Sequence, residues 1–227
     1  MEEEHDCCFS IATMITIFLL VVVIRVVYVF YRTGKPLSSK SSKPRSTLIV
    51  LGSGGHTAEM INVLSVMQKA RFTPRFYIAA ATDNMSLQKA QVLEDSLVDQ
   101  HNQDKKVPAE FMQIYRSREV GQSYITSIGT TLIAIAHALW LMLRIRPEVI
   151  LCNGPGTCVP LCVIAFLFKV VGIRWSTIFY IESIARVKKL SLSGLLLYKL
   201  RIADQFFVQW PQLQRKYTRS QYVGCLM

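Results

Sequence analysis

What this chain of 227 residues lacks narrows its function first. It has no Cys-x-x-Cys pair, and no histidine stands near enough to the four body cysteines, Cys152, Cys158, Cys162 and Cys225, to suggest a zinc site. Buried thiols are expected, and no metal. Cys158 and Cys162 are four apart and can share a helix face. No Gly-Lys-Ser/Thr follows the glycine turn at Gly52, which excludes a P-loop. Thr57 stands where the dinucleotide fingerprint needs its third glycine. No zinc finger, basic zipper or RNA-binding aromatic motif is present, so nucleic acid is not an expected partner. There is no internal repeat.

Charge of one sign is missing from whole stretches. Residues 1–8 hold four acids and no Lys or Arg, whereas Arg25–Arg45 holds six Lys/Arg and no acid. Phe9–Tyr31 carries one charge, Arg25, and lacks the polar stripe of a buried core helix. It also lacks the basic start and small-residue cleavage site of a signal peptide. At about 1.5 Å per residue this segment reaches roughly 34 Å, enough to cross a bilayer. The positive-inside rule then puts the N-terminus in the lumen or exterior and the body in the cytosol, with Arg25 snorkelling to the interface. A reducing cytosol agrees with thiols rather than disulfides in the body. From Trp140 onward twelve basic residues face three acidic ones, while Ser46–Leu139 balances eight against eight. The basic part implies an anionic partner, a lipid surface or a phosphorylated substrate.

What is present alternates. Thr33–Arg45, rich in Ser, Pro and Lys, reads as a flexible tether. Strands are expected over Ser46–Leu51, Arg75–Ala81, Phe111–Tyr115, Glu148–Asn153, Ser176–Glu182 and Gln205–Trp210. Helices are expected over His56–Ala70, Met85–Val98 (with Asp83 as its cap), about Gly121–Leu143, Cys158–Val170 and Ser191–Ala203. Near-continuous apolar strands between helices specify a doubly wound, Rossmann-like parallel α/β sheet covered on both faces. The long apolar helix before Arg144 reads as a sheet-covering helix with one face available to a bilayer surface.

Chemistry concentrates at strand ends. LGSGGHTAEM places Gly52, Ser53, Gly54 and Gly55 between the first strand and first helix, followed by His56. NGPGTCVP repeats the device after the fourth strand, with Asn153, Gly154, Gly156 and a capping Thr157. Such turns allow close backbone approach and present helix N–H groups to a phosphate. Glu182 ends the fifth strand, so its carboxylate is expected to emerge at the same edge, followed by Ser183, Arg186, Lys188 and Lys189. Arg116 and Arg118 follow the third strand and can reach a phosphate there. Asp83, at the end of the second strand, stands where a ribose-binding acid would be, which leaves a nicotinamide oxidoreductase as one reading.

Five motifs in order, GSGGHTAEM, RSREV, LCNGPGTCVP, YIES and QWPQL, resemble the membrane-anchoring subunit of the dolichol-pathway UDP-N-acetylglucosamine transferase. The resemblance covers residues 46–227 and implies half of a split GT-B fold, similar to the acceptor-side domain of the bacterial lipid-linked muramyl-peptide transferase. It implies residues 1–8 as lumenal, 9–31 as anchor, 32–45 as basic tether, 46–210 as acceptor-side domain and 211–227 as a docking tail. It implies a soluble donor-binding partner, recruited to the cytosolic face of the endoplasmic reticulum membrane, and N-acetylglucosaminyl-diphosphodolichol as acceptor. No cofactor is expected. Gly52–Gly55 would hold the acceptor diphosphate or the departing UDP, and His56 would be the general base or, when protonated, a donor to phosphate, with Glu182 as the rival base. Intact glycine turns argue against the alternative of a non-catalytic membrane scaffold. Only six strands are expected, Pro211 should break the last one, and no further element has room, so one Rossmann-like domain lacks half of a two-domain active site. The tail then offers Trp210, Leu213, Tyr217, Tyr222, Val223 and Leu226 to a partner.

Overall fold

A computed structural model describes residues 2–35, 43–100, 109–115, 124–154 and 156–225. The described part of the chain runs α1 (Glu2–Arg32), β1 (Thr47–Val50), α2 (Gly55–Val66), β2 (Arg75–Ala80), α3 (Asn84–Gln100) and β3 (Ala109–Ile114). It continues with α4 (Tyr124–Ile145), β4 (Val149–Asn153), α5 (Cys158–Val171), β5 (Thr177–Ile181), α6 (Leu192–Lys199), β6 (Gln205–Val208), α7 (Pro211–Lys216) and β7 (Gln221–Tyr222). All strands are parallel, in the order β3-β2-β1-β4-β5-β6-β7. The winding therefore reverses between β1 and β4. At such a switch point the loops beyond the two strands part and leave a crevice.

Strand pleating feeds two cores. Leu48, Val50, Ile78, Ile150, Cys152 and Ile178 face one side, where α4, α5 and α6 supply Leu141, Leu161, Phe168 and Leu197. Ile49, Tyr77, Ala79 and Leu151 face the other, against Met60 and Leu64 of α2. Both faces are covered, as apolar strands without alternation require. Burying each large aliphatic is worth about 1.5–3 kcal/mol. Two buried ion pairs pin helices to the sheet. Arg75 of β2 grips both oxygens of Glu94 in α3 at 2.6 Å. Lys169 of α5 pairs with Asp204, whose carboxylate also accepts the backbone N–H of Ile178 at 2.7 Å.

Within α1, Ser10–Arg32 is long and apolar enough to cross a membrane. Its end does not stand apart from the body. Val29 is fully buried, and Phe30 packs on Phe166 of α5 with ring centroids 5.7 Å apart. Arg25 does not simply reach for an interface: its guanidinium donates to the carbonyls of Lys169 at 2.8 Å and Val170 at 3.0 Å. It thus satisfies carbonyls at the last turn of α5, where a cation is favoured. Residues 36–42 of the expected tether lie outside the described residues. On the same side of the sheet, α4 exposes Leu132, Ile133, Leu139, Trp140 and Leu143.

The C-terminus departs from expectation. Pro211 starts a helix rather than merely ending a strand, because proline's missing N–H costs nothing at a first helical position. A seventh strand then forms, with Phe207 paired to Gln221 and Val208 to Tyr222. Leu213 becomes core, Trp210 and Tyr217 are half-buried, and Tyr222 and Val223 remain exposed. Leu226 lies outside the described residues. Two helices are also shorter than expected. The chain turns extended at Met67 after α2, and α6 stops before Arg201, whose φ of 52° is left-handed.

Candidate functional site

Both glycine turns flank the switch point. After β1, Gly54 takes φ 63° and ψ −122°, a backbone conformation that suits glycine, and α2 begins at Gly55. Among the described residues no side chain caps this helix, and no acid occupies its first turn. Ser53, Gly54 and Gly55 are exposed, and a Cβ at either glycine would meet open space. A helix N-terminus left open in this way attracts anions. Thr57 holds the turn from beneath by donating to the Gly52 carbonyl.

Ser86 reaches the same carbonyl at 3.2 Å and donates to Asp83 at 2.7 Å. The other Asp83 oxygen accepts the Ser86 N–H at 3.2 Å, so both oxygens serve the α3 cap. That is the helix-capping reading of Asp83 rather than the ribose-binding one.

After β4, Gly154 takes φ 64°, and His56 lies directly over it. A Cβ there would sit 2.6 Å from the imidazole Cε1 and 2.9 Å from Nδ1, so glycine is required by contact as well as conformation. Gly156 is exposed, and Thr157 stands at the α5 N-cap position without the expected side-chain cap. Its helical φ of −60° and ψ of −24° keep it from the extended conformation that N-caps usually take.

The partners of His56 fix its proton. Glu59, three residues on and 3% exposed, accepts from Asn153 Nδ2 at 2.8 Å. That bond turns the Asn153 amide oxygen toward His56 Nδ1, 3.3 Å away. Nδ1 must then carry the hydrogen, which leaves Nε2 as the acceptor. Glu59 also accepts from Ser183 Oγ at 2.8 Å, from the Ile184 N–H at 3.3 Å and from Gln209 Nε2 at 3.4 Å. So many donors suit an ionised carboxylate. One side chain of α2 thereby ties together the loops after β4, β5 and β6. Sequence reasoning missed Glu59 and Gln209. The available signal was the three-residue spacing that puts Glu59 on the His56 face of a helix.

Glu182 has different surroundings from those its position suggests. It is fully buried, and its carboxylate turns inward instead of emerging at the edge. One oxygen accepts from the Ser191 N–H and Oγ, both at 3.1 Å, and the other from the Ser183 N–H at 3.3 Å. Burial pushes its pKa up, opposed by the bonds from Ser191. The reason it turns inward is the close approach of α6. A Cβ on Gly194 would lie 2.2 Å from the carboxylate, and Ser191 caps that helix by accepting from the Gly194 N–H at 3.0 Å.

The structure thus brings together Gly52–Gly55, His56, Asn153, Gly154 and Ser183, with Gly156 and Thr157 beside them. Arg186, Lys188 and Lys189 are exposed on the loop after β5. Arg116 and Arg118 lie outside the described residues.

This chain is similar to known proteins. Residues 47–226 match the family model described as "Oligosaccharide biosynthesis protein Alg14 like". It is 43% identical, over the whole of both chains, to the Candida albicans protein named UDP-N-acetylglucosamine transferase subunit ALG14. The human protein of the same name is 42% identical over 87% of this chain and 92% of its own length. The crystal structure of Acinetobacter baumannii MurG superposes with a TM-score of 0.50 at 15% identity, over 74% of this chain but 43% of that one. That likeness is one of fold: a Rossmann-like half of a GT-B architecture, less than half the length of the MurG chain. From the family match and the curated relatives together, the chain belongs to the Alg14 family.

Proposed function

We propose that this chain is the membrane-bound, acceptor-side subunit of a UDP-N-acetylglucosamine transferase, completed by a second, donor-binding chain. The relatives named as transferase subunits support the class. The observation that carries the finer reading is the pairing at one switch point of an open helix N-terminus with a histidine whose acceptor nitrogen is set by an asparagine and a glutamate.

The chemistry follows from that geometry. In the transfer, an acceptor hydroxyl oxygen bonds to the sugar C1, the bond from C1 to UDP breaks, and the hydroxyl proton must leave. His56 Nε2 takes the proton. The imidazolium formed keeps its Nδ1 hydrogen bond to Asn153, and ionised Glu59 steadies the amide that receives it. Glycine N–H groups at the α2 start hold the acceptor diphosphate, aided by Arg186 and by Arg116 and Arg118. The acceptor is N-acetylglucosaminyl-diphosphodolichol, and the product is the chitobiosyl lipid.

The proposed location is a single span in the endoplasmic reticulum membrane with the N-terminus lumenal and the body cytosolic, a reading supported by the apolar Ser10–Arg32 segment and the basic residues that follow it. A lipid-linked acceptor suits a site whose domain is fixed to α1 through α5, and the exposed face of α4 would rest on the same lipid surface. Tyr222 and Val223, exposed at the β7 edge, with the residues beyond them, are the docking point for the donor-binding chain.

The test is turnover by the purified chain with and without its partner. Chain plus partner should transfer N-acetylglucosamine, and the chain alone should not. Turnover by the rigorously purified single chain would falsify the split-enzyme reading. Should His56→Ala keep a near-normal rate with the partner bound, the chain would be a scaffold instead.

A further inference from the structure

Three thiols meet beneath the second glycine loop. Cys152 is the penultimate residue of β4, and Cys158 and Cys162 face it from the first two turns of α5. All three side chains are fully buried, and their sulfurs lie within 4.8 Å of one another. Cys152 and Cys162 are 3.5 Å apart, which is a contact of free thiols and not a disulfide.

We propose that Cys152, Cys158 and Cys162 form a trigonal thiolate site for one soft, thiophilic cation of the copper(I)–zinc class. The geometry is the main argument. A metal–thiolate bond of about 2.3 Å in a planar three-sulfur arrangement requires sulfurs about 4.0 Å apart. With Cys152 and Cys162 at 3.5 Å and all three sulfurs within 4.8 Å of one another, a small rotation of side chains closes the site. Ligand softness selects the metal class, since thiolates favour copper(I) and zinc over hard cations.

Two of the ligands sit in the first two turns of α5, where the helix dipole favours anionic sulfur. Loading is balanced simply: each thiol gives its proton to solvent, three per ion, and no redox change is needed. Because the sulfurs are inaccessible, the ion enters while the sheet is forming and stays. Its effect would be to clamp the two ends of the loop carrying Asn153 and Gly154, the residues that hold His56. The site is distinct from the transfer chemistry and does not depend on it.

The experiment uses the full chain, isolated in detergent with its partner and without chelator. Zinc and copper are counted by mass spectrometry, and the metal's neighbours are read by X-ray absorption. One ion per chain with a shell of three sulfurs is expected, and whichever element is found names the metal. Cys162→Ser should lower the content at least tenfold, while Cys225→Ser leaves it unchanged. If Cys162→Ser does not fold, the sulfur count on the wild-type protein decides. Metal at background, both as isolated and after refolding with Zn²⁺ or Cu(I), would overturn the site. So would a Cys152–Cys162 disulfide in the isolated protein, or a metal shell without three sulfurs.

Discussion

Glu59 and Glu182 stand a few residues apart in space, at the same edge of one sheet, and both are buried. Glu59 lies on the first turns of α2 and gathers donors from three other loops, Asn153, Ser183 with Ile184, and Gln209. The carboxylate of Glu182 accepts from the segment that follows it, at Ser183 and Ser191. One carboxylate orients a half-exposed imidazole through an amide, and the other closes a turn onto a helix cap. A strand-end position tells where a carboxylate starts, but the donors decide what it does. Here they join the helix acid, through Asn153, to His56, the base of the proposed mechanism, and tie the strand acid to the cap of α6.

The largest effect expected along this divide is at His56. His56→Ala should lower turnover by the partner-bound enzyme about 10²–10⁴-fold, the usual loss of a general base. Steady-state rates with partner binding checked by co-purification measure it. Glu59→Gln comes next, at on the order of 10²-fold, since a misplaced tautomer disables a histidine that is otherwise intact. A glutamine must turn its amide group toward one of the donors Glu59 now accepts from, which frees Asn153 to flip its NH₂ toward His56. Nitrogen chemical shifts of the imidazole report the outcome directly: the hydrogen should move from Nδ1 to Nε2. Unchanged shifts with a lost rate would make Glu59 merely structural.

Gly154→Ala should act through the same contact more mildly, at roughly tenfold in rate. Its Cβ would press on the imidazole at 2.6 Å, and the left-handed φ of 64° costs a non-glycine residue about 1–2 kcal/mol. Thermal melts separate the two parts, because the backbone cost appears in stability and the displaced histidine only in turnover. A variant as active as the parent would show that His56 is not held where the geometry has it.

Much of this was legible in the sequence, for reasons that differ by region. β1, β2 and β4 could be read because they are buried on both faces, and burial of that kind writes itself as an apolar run. The glycine turns could be read because positive φ and close approach exclude most other residues. β7 could not be read: it has two residues, Gln221 and Tyr222, both exposed, and nothing apolar marks it. Pro211 reads as a strand break, and the helix it starts is too short, at six residues, to show a pattern of its own. The spacing of Glu59 from His56 was a legible signal, but its role as a tie between loops was not, because its partners are 94 and 124 residues away along the chain. The inward turn of Glu182 depends on the approach of Gly194, which no local pattern records.

The smallest effect is expected at Glu182, and its pH dependence carries the contrast with Glu59. Glu182→Gln should leave turnover within a few-fold of the parent, because an amide oxygen still accepts from Ser191 and the carboxylate meets no acceptor hydroxyl. Glu182→Ala should instead lose about 1–3 kcal/mol, the cost of leaving buried donors unsatisfied. In the parent, burial holds the folded pKa of Glu182 above the ordinary 4.5. The folded state then binds that proton more tightly than the unfolded state. Its contribution to stability is complete below the unfolded pKa and is lost as the pH rises through the folded one. A glutamine in its place has no proton to lose. The difference in melting temperature, variant minus parent, should therefore grow as pH is raised from about 4 toward neutrality. A difference that stayed flat or shrank would mean that Glu182 is ionised in the fold at no cost. In that case the strand acid would again compete with His56 for the role of base.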